Sequence, residues 1–249
     1  MKKFLLFFLW GILLYSCDLK NEEKITSQTQ LEDGVYTFSQ FSDPNFWKNF
    51  HSTTEIQSAC QIPEDLLKEM STDNLVKSCM NYPLFFTYTA YTNELVGISE
   101  IINSFNGLKE LMSREDGVKK LINLYQKFNI DPKGNVMCIT KAGLPSKLSF
   151  LHLGYIELLL SSKEVSNQIS NEDVSKLKTT ALNLYQKKLE NVQSFSMDDI
   201  KNSLLLSSRL KLIENSNNVD AAGLNDFILK GGIVEARKYE TLSRDLMTK

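Results

Sequence analysis

The chain has 249 residues, with 28 Lys and Arg against 30 Asp and Glu, a formal charge of −2. Hydrophobic residues make up 42% and charged residues 23%, a balance that argues against wholesale disorder, collagen-like repeats and a multi-span membrane protein. The near-neutral charge leaves no electrostatic footprint for nucleic acid, and 11 Gly and 5 Pro are few for the turns of a β-sandwich or barrel.

The first segment reads as an address. Lys2 and Lys3 form a positive start, and Phe4 to Tyr15 form an apolar run. That run is short of the roughly 20 residues needed to span a bilayer, but it has the length of a signal-peptide core. It ends in Leu14-Tyr15-Ser16-Cys17. This resembles the bacterial lipobox: an aliphatic residue, a tolerant position, a small residue, then Cys. The resemblance implies a diacylglyceryl thioether on Cys17, cleavage between Ser16 and Cys17, and acylation (palmitate among the fatty acids) of the new amine. Residues 1–16 are thus expected as signal peptide, residues 17–30 as lipidated Cys and polar tether, and residues 31–249 as one helical domain. The acidic cluster Asp18, Glu22, Glu23 resembles sorting signals of surface lipoproteins and points to the outer membrane of a cell envelope.

The rest reads as all-α, about nine amphipathic helices packed as hairpins in a manner open to a solenoid, behind a short irregular or β segment. Val35–Phe38 suits a strand, and Ser42-Asp43-Pro44 a turn or helix start. Pro63-Glu64-Asp65 and Ser71-Thr72-Asp73 open helices, the second running over 74–81 to Pro83. Asn93-Glu94 opens a helix with Leu95, Ile98, Ile101, Ile102 and Phe105 in phase, which Asn106-Gly107 is expected to close through a left-handed cap. Ser113 to Asp116 caps a helix carrying Val118, Leu121, Ile122, Tyr125 and Phe128. Asn129 to Gly134 reads as a loop and 136–140 as a strand. Residues 146–160 predict a central helix, apolar over most of its circumference. Further helices are expected over 171–192, from Ser196 to Ile213 on an Ile200, Leu204, Leu206, Leu210 stripe, over 224–229, and over 233–247. Asn123–Lys127 (NLYQK) recurs as Asn183–Lys187, either a repeat unit or chance between two similar helices.

The segment Ile62-Pro63-Glu64-Asp65-Leu66-Leu67-Lys68-Glu69-Met70-Ser71-Thr72, with Leu75–Pro83 and Phe105–Leu111, resembles a group of uncharacterised secreted proteins from Bacteroidetes-type bacteria. They share an IPE-x-L-x-x-MST-x-x-L helix pair. The likeness covers roughly residues 55–128 and implies a helical envelope protein; it carries over no functional residue.

Three Cys remain after Cys17. Cys60 and Cys79 can pair as a disulfide in an oxidising compartment, or all three, with Cys138, can stay buried thiols. No Cys/His spacing suits a metal, and no cofactor is expected. Cys138 and His152 flank one loop, but nothing local activates the thiol. Ser175–Lys178 and Ser208–Lys211 match Ser-x-x-Lys without its partner motifs. Paired acids sit mainly at helix starts, where the dipole accounts for them. The candidate ligand-binding side chains are aromatic: Tyr88, Tyr91 and Trp47, with His152. The expectation is a non-catalytic, membrane-anchored module that binds an envelope protein. The alternative is a glycan- or peptide-binding lipoprotein, and the third reading a hydrolase.

Overall fold

The computed structural model describes residues 31–138, 150–214 and 221–230, the last with side chains from residue 225. The fold is all-α with two small hairpins. The signal peptide, Cys17, the tether and the 233–247 helix expected from sequence lie outside the described residues.

The chain enters as a hairpin, β1 (Leu31–Glu32) and β2 (Val35–Tyr36), with Leu31 opposite Tyr36. Asp33 and Gly34 both take positive φ, 50° and 78°, as a two-residue turn with the right strand twist requires. The Asp33 carbonyl accepts from Asn74 Nδ2 at 3.2 Å, and the Tyr36 amide donates to Ser78 Oγ at 2.8 Å. Both contacts pin the hairpin to a helix forty residues on. A 3-10 turn (Ser39–Ser42) and α1 (Pro44–Trp47) follow. Next come α2 (Thr53–Ala59), α3 (Glu64–Glu69) and α4 (Thr72–Met80). Ser52 and Ser71 cap α2 and α4 by accepting from the third residue on.

A second 3-10 segment, Phe85–Ala90, leads to α5 (Glu94–Ser104), capped by Asn93. Asn106-Gly107 does not close this helix, as the sequence suggested; it opens α6 (Asn106–Ser113). The break falls at Phe105, which is extended and stacks on Tyr82 at 4.0 Å. A distant segment holds the corner open. Asn106 donates to the Ile62 carbonyl at 2.7 Å and accepts from the Ile62 amide at 3.0 Å, while the Asn106 amide donates to Gln61 Oε1 at 2.8 Å. The tertiary bonds replace the cap that the local sequence offered. α7 (Gly117–Tyr125) follows a tight corner.

Phe128 was expected at the end of that helix, and 129–134 as a loop. Instead Phe128–Ile130 (β3) pairs with Val136–Cys138 (β4), Phe128 opposite Cys138. The turn is built by Asp131, whose carboxylate accepts from the Lys133 and Asn135 amides and from Asn135 Nδ2. The echo therefore sits in unlike surroundings. Its first copy ends a helix and enters β3, whereas its second lies inside a helix that runs on.

The remainder comprises α8 (Phe150–Ser161), α9 (Lys163–Ser166), α10 (Asn171–Glu190), α11 (Met197–Glu214) and α12 (Ala221–Leu229). α8 is the expected central helix: every residue from Leu153 to Ser161 is buried. It packs on α5, α7 and α11. α11 departs from its expected single stripe, since every residue from Asp199 to Ser208 is buried. It lies between α8, α10 and α12. Gly154 lets α8 approach: a Cβ there would meet Tyr88 Oη at 2.9 Å and the Asn202 side-chain amide at 3.2 Å. One contiguous hydrophobic core links all these elements.

Candidate interaction surfaces and the buried polar core

The polar residues of α11 are satisfied inside the protein. Glu157 of α8, fully buried, receives Lys188 Nζ at 2.7 Å, Ser203 Oγ at 2.6 Å and Tyr125 Oη at 3.2 Å. Lys188 also donates to the Asp199 carbonyl at 2.6 Å. Four helices thus meet on one carboxylate. Burial pushes the Glu157 carboxyl above its usual range, and Lys188 pulls against that. Beside it, Lys201 bridges Glu94 at 3.2 Å and Asp198 at 2.9 Å. Asn202, its amide turned to suit both neighbours, donates to the Asp198 carbonyl at 3.2 Å and to Glu94 Oε2 at 3.0 Å. Neither Glu157 nor Lys188 was singled out from sequence. The signal was there: one acid inside the run FLHLGYIELLLS, and one Lys a heptad beyond Ala181 on the buried stripe of α10.

The other groups with chemical potential are tied up in packing. Burial pushes the Cys60 thiol up to about 12 and the Cys138 thiol up to about 11, and raises Cys79 further still. All three are free thiols, with Cys60 and Cys79 fully buried. His152 Nε2 lies 3.2 Å from the Met80 carbonyl, and its ring stacks on Phe85 at 4.1 Å. Burial draws its pKa down to about 4, so it is neutral at pH 7. Among the described residues no group of His, Cys, Asp and Glu could hold a metal ion, and no helix is long and apolar enough to cross a membrane.

Of the four ligand-binding candidates, Tyr88 and His152 share one ring cluster through Tyr155 and Phe85. Tyr88, expected to show a face, is 1% exposed. The 3-10 segment turns it inward, where it donates to the Leu151 carbonyl at 3.1 Å and lies parallel to Tyr155. Trp47 belongs to another ring cluster: it packs on Phe41 at 5.2 Å and donates Nε1 to the Phe41 carbonyl at 3.0 Å. Tyr91 does reach solvent, lying over Gly97, where a Cβ would come within 2.8 Å of its ring.

Sequence reasoning singled out Tyr91 among the exposed apolar groups and missed the rest, because exposure depends on the whole fold. Among the described residues, large apolar side chains that remain 41% to 77% exposed include Phe86 and Tyr91 of the 3-10 region, Val96 in the first turn of α5, Phe150 at the start of α8 and Leu229 at the end of α12. Asn93 Nδ2 donates to the Leu229 carbonyl at 3.0 Å, which joins α12 to the start of α5. The others are Met137, Val192 and Met197. Met137 pairs with Asn129 across the hairpin, Asn129 Oδ1 accepts from Lys187 Nζ, and the hairpin tip at Gly134 abuts Asn191 and Ser194.

No family model, no curated protein and no solved structure matches this chain.

Proposed function

We propose that this chain is a lipid-anchored protein of the bacterial envelope whose helical domain binds another envelope protein without catalysing a reaction. The observation that carries the anchor is the sequence Lys2-Lys3, an apolar run, then Leu14-Tyr15-Ser16-Cys17. Two or three acyl chains on one residue hold a protein to a membrane where a single chain would not. The binding role is supported by the exposed Met137 and Met197, since unbranched thioether side chains adapt to a partner's surface, and by the exposed Val192. Polar groups stand beside two of them: Asn129, which accepts from Lys187, is paired with Met137, and Asn191 precedes Val192, and interfaces mix apolar and polar groups in this way. The glycan- and peptide-binding reading loses force because Tyr88 is buried and Trp47 sits in a separate ring cluster.

Crosslinking in the native cells tests this. The native chain is compared with Cys17→Ser and with a Met137→Ser, Met197→Ser double variant, and captured proteins are identified by mass. A discrete partner lost from both variants supports the reading. Equal, diffuse capture by all three overturns it. Turnover of a defined substrate by the purified chain, abolished by His152→Ala, would assign the protein to catalysis instead.

A further inference from the structure

We infer that Glu157 and Lys188 condense into an intramolecular amide, a covalent strut between α8 and α10 that the folded chain forms by itself. The inference concerns the buried core and is independent of the proposed anchor and partner.

Proximity is the first support. Lys188 Nζ lies 2.7 Å from Glu157 Oε2. With a carbon–oxygen bond of about 1.2 Å, the nitrogen is no more than about 4 Å from the carboxyl carbon. Reacting atoms in productive enzyme complexes stand about 3–3.5 Å apart, so only a small shift separates the pair from reaction. Glu157, Tyr125 and Ser203 are fully buried and Lys188 is 1% exposed. The amine and the acid are thus held together by packed helices, and the water that would hydrolyse their product is shut out.

The hydrogen bonds around the pair are the second support, because they match an amide. Oε1 of Glu157 accepts from Ser203 Oγ at 2.6 Å and from Tyr125 Oη at 3.2 Å, while Oε2 accepts from Lys188. Two hydroxyl donors therefore stand on the oxygen that gains negative charge when an amine attacks the carbon. Lys188 Nζ also donates to the Asp199 carbonyl at 2.6 Å. In the product, Oε1 keeps both hydroxyls, and the single remaining N–H keeps the Asp199 carbonyl. Two full charges leave a dry core, and every polar group of the amide has a partner.

The step balances without an oxidant or a co-reactant. A proton passes from the Lys188 ammonium to Oε2, giving an amine and a carboxylic acid. Burial already favours the neutral acid, since it raises the Glu157 carboxyl above its usual range. The amine lone pair forms the C–N bond, and the C=O electron pair moves to Oε1. A second proton passes from nitrogen to Oε2, the C–Oε2 bond breaks and one water leaves. The ion pair is the state of the newly folded chain, and the amide accumulates from it. Cys60, Cys79 and Cys138 are free thiols, so the amide braces a fold that these cysteines leave unlinked.

Tryptic peptide mapping of the full chain from its native cells, sampled at successive times after synthesis is stopped, tests the inference. Acylated Lys188 has no charge for trypsin to read, so residues 148–163 and 188–201 should appear as one branched peptide, lighter than their sum by one water. Its share should rise with time. Ser203→Ala and Tyr125→Phe, which leave the ion pair in place, should each slow that rise at least about tenfold. Lys188→Met should abolish the branched peptide; if that variant does not fold, the map of the native chain still decides. Unbranched peptides alone, at every time, overturn the inference. A branch on Lys187 overturns the assignment to Lys188. Equal rates in the native chain and in both hydroxyl variants overturn the role given to Ser203 and Tyr125.

Discussion

Lys188 carries its charge into a site 1% open to water because Glu157, the Asp199 carbonyl and the Phe195 ring receive it there. An ion pair of this kind contributes little over a well-packed apolar pair, but removing one partner strands the other. Lys188→Met should cost about 3–5 kcal/mol in urea unfolding, and adding Glu157→Gln should recover part of that loss. Strict additivity of the two changes would mean that the pair is not coupled. His152 offers a pH test. Its folded value, about 4, lies below the ordinary 6.5, so the unfolded chain takes up the proton first. The stability it gives is present above pH 6.5 and lost as pH falls toward 4, by up to about 3 kcal/mol. Glu157 and Glu94 are raised and act with the opposite sign, their share being lost as pH rises through their folded values. The comparison of wild type with His152→Asn isolates the His contribution. Between pH 7.5 and 4.5 wild type should lose more stability than the variant, and equal losses would refute the assignment. The thiols make a third test: in a Cys17→Ser chain without reductant, Cys138 should react first, and Cys60 and Cys79 only on unfolding. A total of one reactive thiol would mean that the buried two are paired.

Corners dominate at the scale of elements. Between α6 and α7 the chain turns so tightly that a Cβ on Gly117 would strike the Leu111 carbonyl, a backbone atom that cannot step aside. Gly117→Ala should therefore destabilise by more than about 2 kcal/mol, whereas Lys119→Ala, on the exposed side of α7, should stay within about 0.5 kcal/mol. Comparable melting temperatures for the two would contradict the packing at this corner. Corners also mark the limit of what local pattern conveys. Ser71, Asn93 and Ser196 announced their helices, because a side-chain oxygen reaching an amide two or three residues on is encoded by neighbours. Asn106-Gly107 misled, because its outcome was decided by Gln61 and Ile62, more than forty residues away. The second hairpin was half legible, since β3 is too short and too close to a helical stripe to stand out, while the Asp131 turn left a signature. Tyr88 and Tyr91 were alike in sequence and differ in fate because Tyr88 lies inside the 3-10 segment, which turns it inward, while Tyr91 follows its end in extended backbone.

For the molecule as a whole, the apolar stripe of α8 predicted its central place, while α11 concealed its own. Its Ser, Asn, Lys and Asp look like a solvent face, and only the three-dimensional arrangement supplies partners for Lys201, Asn202 and Ser203. Most of the exposed apolar side chains were equally hidden, Tyr91 excepted, since the whole fold decides exposure. A chain ending at residue 192 would retain α8 with one side bare and should be unfolded or aggregated. A cooperative urea transition from such a fragment would show that α11 is dispensable.

α11 is the keystone, and it is made late. A ribosome delivering the chain from its first residue would hold a partly built structure, with Glu157 and Lys188 both already synthesised, until Ser203 and its neighbours emerge. α8 and α10 both pack on α11, so this part of the core stays open until α11 emerges. On the proposal that the chain is exported, that late closure leaves this part of the core open for passage through a translocation channel.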